Sequence, residues 1–319
     1  MGRWIVGVDA GGTNTRAAGL DLDTGRLSLG HASGANWTVH GPVVCAERIG
    51  AAVEEALAGN PSRALCLTVA GYYPPDHQAV AEQWAADLWP GVPVRIAPDV
   101  LAAWAGAHGG EAGVVLISGT GSICYGRNSA GGDARVGGWG PLFGDEGSAY
   151  AAGVASLRRL AAQVDGTGAA TALAKRVLER WPELGGDLRT WLRGIYRCGW
   201  GREQVAKLAR EVNELAEAGD PVCIEVLEQV AHDLAVQALG VERQLQERQL
   251  PLAIQGGFGG GSARVTGSLR TVLRDAGSTL QLVEERMNPL HGAVLLAAEL
   301  LGGAELMRSA REVLQCTTS

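Results

Sequence analysis

The chain has 319 residues, enough for two hydrophobic cores rather than one, and its apolar content of 46% is that of an ordinary globular protein. Its 27 Lys and Arg against 34 Asp and Glu leave a net charge of −7 with no basic block, which disfavours a nucleic-acid or anionic-membrane partner. The six cysteines (Cys45, Cys66, Cys124, Cys198, Cys223 and Cys316) form no C-x-x-C pair, which argues against a structural zinc, an iron–sulfur cluster within the chain or a disulfide framework.

The first residues enter an apolar run at once, with no h-region ending in small residues, so no secretory signal is read and the cytoplasm is the expected compartment. Alternation and turn residues predict strands at 4–9, 14–20 and 27–33, a helix at 43–58, a strand at 63–69, a helix at 77–88, a strand at 93–97 and a helix at 100–108. That order predicts an α/β domain with a mixed sheet. Gly109-Gly110-Glu111-Ala112 makes a boundary, after which the run 114–117 opens a second half with another strand at 123–126.

From about Glu146 to Arg248 the pattern is helical, as in Val222, Val226, Val230, Leu234, Ala238 and Val241, and Asp220-Pro221 supplies an N-cap followed by an N1 proline. A strand at 251–255, a glycine turn at 256–261 and a helix at 262–275 follow. A last helix starts after Asn288-Pro289, ends at Gly302-Gly303 and is expected to fold back onto the first domain, with 315–319 left as a tail. The apolar stretch 292–301 is too short to span a bilayer.

Two strand–turn–strand elements carry the chemistry. The turn Asp9-Ala10-Gly11-Gly12-Thr13 sits behind one apolar run, and Ser118-Gly119-Thr120-Gly121-Ser122 sits behind another. Glycine tolerates positive φ and lets a phosphate reach bare backbone N–H groups, while Thr and Ser add hydroxyl donors. Asp9 beside phosphates requires an intervening cation, for which Mg2+, held through few carboxylates and several waters, is the obvious choice. Either turn alone is equally an ordinary hairpin; one in each half of the chain favours a single nucleotide gripped from both sides. A Walker A loop is absent. Gly257-x-Gly259-x-x-Ser262 is a near-miss to a dinucleotide fingerprint, and a base or ribose against a bare glycine turn is the better functional reading, beside the structural one of a helix-start loop with surplus glycine.

Asp99, at a strand end and a helix start, can orient an acceptor hydroxyl and take its proton late, or can cap the helix, or do both. Asp145 and Glu146 are read as opening a helix, where its dipole favours anions, with Asp145 turned to ligand hydroxyls. Trp139, flanked by glycines, suits a sugar face better than a core, and Asn36-Trp37 suits hydroxyl recognition better than a plain loop. The six histidines show no metal-ligand spacing.

Together Asp9-Ala-Gly-Gly-Thr13, Pro98-Asp99-Val100, Ser118-Gly-Thr120-Gly-Ser122, Gly137-Gly-Trp139-Gly140, Gly144-Asp145-Glu146-Gly-Ser-Ala-Tyr150 and Gly256-Gly257 resemble the N-acetylglucosamine kinase branch of the actin-like ATPase superfamily, the BadF/BadG/BcrA/BcrD-type branch. The resemblance covers the whole chain in order, and the block from Gly137 to Tyr150 is its specific part. It implies two actin-like ATPase (ribonuclease H-like) domains with mixed sheets flanked by helices around a cleft: 1–112 with a helix at about 290–314 packed back on it, and 113–289 with a helical insertion. It implies phosphate contacts at Gly11, Gly12, Thr13, Thr120 and Gly121, Mg2+ at Asp9 through water, and the nucleotide at Gly256 and Gly257. Asp99 becomes the catalytic base and a sugar contact, joined by Asn36, Ser122, Gly138, Trp139 and Asp145.

The activity so implied is transfer of the γ-phosphoryl of ATP to the 6-hydroxyl of N-acetylglucosamine or glucosamine, in a homodimer with no nucleic-acid or membrane partner. Ala70-Gly71-Tyr72-Tyr73 stands where the family has a Ser near the sugar, which leaves sugar specificity open. The zinc-binding Cys/His cluster of another sugar-kinase family is missing. The rival of another class is an activator ATPase of the 2-hydroxyacyl-CoA dehydratase or benzoyl-CoA reductase type, which needs cluster-binding cysteines and finds a foothold only at Cys124. A catalytically silent sugar sensor is disfavoured by the presence of both Asp9 and Asp99.

Overall fold

The computed structural model describes residues 2–317, which divide into two compact units: the chain up to Gly113 together with everything from Glu284 onward, and Val114–Val283.

The first unit begins with β1 (Trp4–Ala10), β2 (Asn14–Asp21), β3 (Leu27–Ser33) and helix α1 (Trp37–Leu57). It continues with β4 (Ser62–Val69), α2 (Gln78–Leu88), β5 (Val94–Pro98) and α3 (Asp99–His108). Its sheet runs β3-β2-β1-β4-β5, with β1 antiparallel to β2 and parallel to β4, which is itself parallel to β5. β1 and β4 read as near-continuous apolar runs because both of their faces are covered, by α1 and by the C-terminal helix Pro289–Thr317.

Two helix boundaries differ from the sequence reading. α1 starts at Trp37, six residues before the expected 43, because Asn36 caps a first turn that then kinks at Gly41 (φ 76°) ahead of Pro42. The C-terminal helix does not end at Gly302-Gly303; those glycines only kink it, and it resumes to Thr317 because Ala310 and Leu314 beyond them are buried. The final two residues of the expected tail lie outside the described residues. By length and composition this is the one helix among the described residues that could cross a membrane, and its apolarity is spent on the core, where residues 293–298 are fully buried.

The second unit contains β6 (Gly113–Ser118), β7 (Ser122–Arg127) and β8 (Asp133–Gly137). Helices α4 (Ala149–Val164), α5 (Leu173–Arg180), α6 (Leu188–Arg197), α7 (Arg202–Ala206), α8 (Leu208–Glu217) and α9 (Pro221–Leu245) follow, and β9 (Pro251–Gln255), α10 (Ala263–Asp275) and β10 (Gln281–Val283) close it. Its sheet order, β10-β9-β6-β7-β8, reproduces that of the first unit strand for strand when the two are read in chain order. The repeat is therefore one of topology, with the helices from α4 to α9 inserted where the first unit has α1 alone. β8 and β10 carry no signal in the sequence: one is a half-exposed strand beside glycines, and the other has three residues and a single partner strand.

Asp220 starts α9 as the sequence predicts, and it also fastens the loop before α5. Its carboxylate accepts from the N–H of Cys223 at 2.9 Å, the N–H of Ala172 at 2.8 Å and the hydroxyl of Thr171 at 2.9 Å. Burial pushes this carboxyl up, but those donors outweigh it and hold the group below its ordinary value of 3.8. A depressed folded-state pKa means that the stabilisation is present above pH 3.8 and is lost as the pH falls through the folded value. Asp220→Ala should cost about 1–2 kcal/mol, a fall of roughly 2–8 °C in the melting temperature at neutral pH, and the deficit should shrink in acid. Melting curves of both proteins between neutral pH and pH 3 check this.

Candidate active site

Each sheet gathers one half of the predicted residues at the carboxyl ends of its parallel strands, the edge at which open α/β sheets bind ligands. In the first unit Ala10 pairs with Val69, and Val69 with Pro98, so Asp9, Ala70 and Asp99 share that edge. Loop contacts add Asn36: Trp37 N–H donates to Ala70 O at 2.8 Å, Ala70 N–H to Ala10 O at 2.8 Å, and Ala35 N–H to Gly11 O at 2.9 Å.

The first turn is closed by the Gly11 N–H donating to Asn14 O at 2.9 Å, which leaves Gly12 and Thr13 exposed at its tip. Asp9 Oδ2 accepts from Nη2 of Arg16, its cross-strand partner, at 2.7 Å. Gly11, Gly12, Gly119 and Gly121 all lie outside the positive-φ region, so none of them needs glycine for the left-handed conformation the sequence reading allowed; of the four, Gly121 alone has neighbours that a Cβ would overlap, and Gly12 and Gly119 have open space there.

Asp99 is the first residue of α3, one place inside the cap position that Pro98 fills, and its Oδ1 accepts from the Val100 N–H at 3.0 Å. It thus stands both at the end of β5 and at the positive end of a helix, where an ionised carboxylate is favoured. Asn36 is the N-cap of α1. Its Oδ1 accepts from the N–H of Thr38 at 3.0 Å, the N–H of Val39 at 3.2 Å and the hydroxyl of Thr38 at 2.8 Å, so the amide NH2 is the group it can offer a hydroxyl. Trp37 departs from the expected recognition pair: it is buried, stacked on His77 with centroids 5.2 Å apart and edge-on to Tyr72 at 5.5 Å. Tyr72 of the divergent 70–73 segment belongs to this same core.

In the second unit two distant segments are tied to the end of β6. The Ser118 hydroxyl donates to Gly147 O at 2.7 Å, Ala149 N–H donates to Gly119 O at 2.9 Å, and Phe258 and Gly259 N–H donate to Ser118 O at 3.2 and 3.0 Å. The Gly256 turn, the Asp145 loop and the second hairpin are therefore one construction, with Thr120 exposed at the hairpin tip.

Asp145 is 2% exposed with φ 62°; its Oδ1 accepts from the Ser122 N–H at 3.3 Å and its Oδ2 from Arg202 Nη2 at 2.5 Å. Burial pushes its carboxyl above the ordinary value, against the pull of the Arg202 charge and the Ser122 N–H. Asp145 and Glu146 do not open α4; Ser148 caps that helix by accepting from the Ala151 N–H at 3.1 Å. Glu146 instead contributes its carbonyl, which accepts from the Ser122 hydroxyl at 2.5 Å and from Gln237 Nε2 at 2.7 Å. Gln237 Nε2 also donates to Ser122 Oγ at 3.0 Å. Ser122 is thereby buried, and its hydroxyl braces the Asp145 loop.

Trp139 is 66% exposed on a chain that turns through Gly137, Gly138 and Gly140, all at positive φ. It fills no core, and the Arg135 guanidinium lies 5.8 Å from its ring centroid while donating to Gly138 O at 2.9 Å. Arg202 is the residue sequence reasoning missed: it lies 57 residues beyond Asp145, within the inserted helices, and no local motif marks it.

The sequence profile of the BadF/BadG/BcrA/BcrD ATPase family matches residues 6–297. The chain belongs to that family. Among its relatives, the N-acetylmuramic acid/N-acetylglucosamine kinase of Clostridium acetobutylicum is 29% identical over 78% of this chain and 80% of its own. The N-acetyl-D-glucosamine kinase of Dictyostelium discoideum is 26% identical over 92% of this chain and 97% of its own. A solved structure from Chromobacterium violaceum, described as a candidate N-acetylglucosamine kinase, superimposes with a TM-score of 0.73 at 25% identity, over 92% of this chain and 99% of that one. The two mixed sheets flanked by helices are the actin-like ATPase fold of these sugar kinases. Within the BadF/BadG/BcrA/BcrD ATPase family, Cys124 gives the activator reading no support here: it is fully buried in β7, and desolvation raises its thiol pKa.

Proposed function

We propose that this member of the family is an ATP-dependent kinase of amino sugars, transferring the γ-phosphoryl group to the 6-hydroxyl of N-acetylglucosamine, with glucosamine as the second candidate acceptor. One observation carries the reading: two sheets of the same strand order each present a Gly/Thr hairpin and a carboxylate at the carboxyl edge, as a nucleotide-dependent transfer to an alcohol requires. The names of the relatives supply the sugar class.

Phosphoryl transfer proceeds through a loose transition state, so the protein's work is positioning and charge neutralisation. The backbone N–H groups of Gly11–Thr13 and of Thr120–Gly121 are the phosphate donors, and the bare turn at Gly256-Gly257 takes the base or ribose. On the second unit Asp145 offers its carboxylate to sugar hydroxyls and Trp139 a flat apolar face; on the first unit the Asn36 amide is the donor to a hydroxyl. The acceptor oxygen bonds to Pγ as the bond from Pγ to the β-bridging oxygen breaks. ADP leaves with that electron pair, and the hydroxyl proton passes to Asp99.

Mg2+ suits the first turn. Arg16 takes Asp9 Oδ2, while Oδ1 makes no hydrogen bond among the described residues, and the exposed Thr13 hydroxyl is nearby in the chain. One carboxylate oxygen, a hydroxyl, waters and phosphates are the donors this ion takes, and when bound it neutralises charge on the phosphate oxygens.

A coupled ADP-release screen across hexoses, amino sugars, N-acetyl sugars and N-acetylmuramic acid tests the reading. N-acetylglucosamine should give the highest kcat/KM, with glucose at least tenfold lower. ADP release independent of every sugar offered would refute the kinase.

A further inference from the structure

Neither glycine turn, Gly-Gly-Thr-Asn-Thr nor Ser-Gly-Thr-Gly-Ser, contains a lysine or arginine, although the negative charge of a triphosphate must be met by cations. Each turn nevertheless has an arginine seated on its carboxylate: Arg16 on Asp9 at 2.7 Å, and Arg202 on Asp145 at 2.5 Å. The two differ in where the guanidinium lies. Arg16 follows its turn directly and reaches back along the strand pair, whereas Arg202 arrives from an inserted helix and lies directly over the second turn. A Cβ placed on Gly121 would come within 2.2 Å of Arg202 Nη2 and 2.8 Å of Asp145 Oδ1.

Gly121 is thus the residue whose lack of a side chain lets a guanidinium rest against the phosphate-binding hairpin. The Arg202 side chain is 40% exposed although the carboxylate it holds is nearly buried, and Asp145 takes only its Nη2, which leaves further donors of the guanidinium for a second anion.

We propose that Arg202 is a phosphate-contacting residue of the transfer reaction, supplying the cation that the second hairpin lacks: Asp145 holds the guanidinium over Gly121, from where it binds the γ-phosphate of ATP. Arginine suits this position because its planar fork serves two anions at once, Asp145 through one nitrogen and a phosphate oxygen through another. When a sugar hydroxyl takes its share of Asp145, the guanidinium is released further toward the phosphate, and acceptor occupancy is coupled to charge neutralisation. The inference rests on the kinase reading for the identity of the anion.

The test is nucleotide binding together with steady-state kinetics of Arg202→Ala and Arg202→Lys in the full-length protein. Calorimetry with ADP and with a non-hydrolysable ATP analogue needs no sugar turnover. It therefore decides the role of Arg202 even if the sugar screen fails. The wild-type protein should bind the triphosphate analogue more tightly than ADP. Arg202→Ala should lose that preference by at least tenfold while its ADP affinity stays within threefold, and Arg202→Lys should recover part of it. With the acceptor found in the screen, kcat of Arg202→Ala should fall on the order of 10²–10³-fold, the usual loss on removing one charge-stabilising donor. A residue that merely pairs with Asp145 would raise KM for the sugar and leave the ratio of triphosphate to diphosphate affinities unchanged. That pattern, or a kcat within threefold of wild type, overturns the proposal.

Discussion

Asp99→Ala should reduce kcat by about 10²–10⁴-fold, the span ordinarily lost with a general base, while the affinity for a non-hydrolysable ATP analogue stays within threefold of wild type. The separation follows from placement. Asp99 follows β5 and begins α3, whereas the proposed phosphate donors belong to the Asp9 turn and the second hairpin. Its hydrogen bond from the Val100 N–H gives the side chain a share in starting α3, so Ala also removes about 0.5–1 kcal/mol of helix stabilisation. Asp99→Asn removes that ambiguity: the carboxamide oxygen still accepts from Val100, but the group no longer takes a proton at neutral pH. Equal losses of kcat in the two variants, with an unshifted melting temperature for Asn, assign the effect to proton acceptance. A kcat above a tenth of wild type in Asp99→Asn removes Asp99 from the mechanism.

Much of this construction was legible in the sequence because its signals are local. Strands buried on both faces read as apolar runs, and Gly/Thr turns behind them mark the hairpins. Asp220-Pro221 announces α9 through the chemistry of its own neighbours. What was hidden depends on residues far apart in the chain. Ser122 is a sugar contact only through the family resemblance, and the bracing that Gln237, 115 residues away, and the Glu146 carbonyl give its hydroxyl has no local signal. Trp37 reads with Asn36 as a hydroxyl-recognition pair, and is drawn inward by Tyr72 and His77. Arg202 carried no signal at all, since a lone arginine in an amphipathic helical stretch reads as a solvated face. Such partners become visible only when the inserted helices place them against the hairpin.

The glycine turn after β9 separates fold from function within two adjacent residues. Gly256 has φ 96°, and a Cβ there would meet Ser118 O at 2.4 Å, the carbonyl that also receives the Phe258 and Gly259 N–H groups. Gly256→Ala combines the left-handed penalty with a clash against backbone that has no room to yield. We expect a cost of about 3 kcal/mol and a fall of roughly 6–12 °C in the melting temperature of the second unit. Gly257 is exposed, lies outside the positive-φ region and has nothing within 4 Å of its Cβ position, so Gly257→Ala should leave the melting temperature within about 2 °C of wild type. If the turn takes the base or ribose of ATP, the added methyl at 257 fills space the nucleotide needs, and Kd for ADP should rise at least tenfold in a fully folded protein. Calorimetry of both variants beside their melting curves distinguishes the outcomes. A Gly257→Ala protein that binds ADP as wild type does reduces the turn to a helix-start loop, and the nucleotide base must then be sought elsewhere on the second unit.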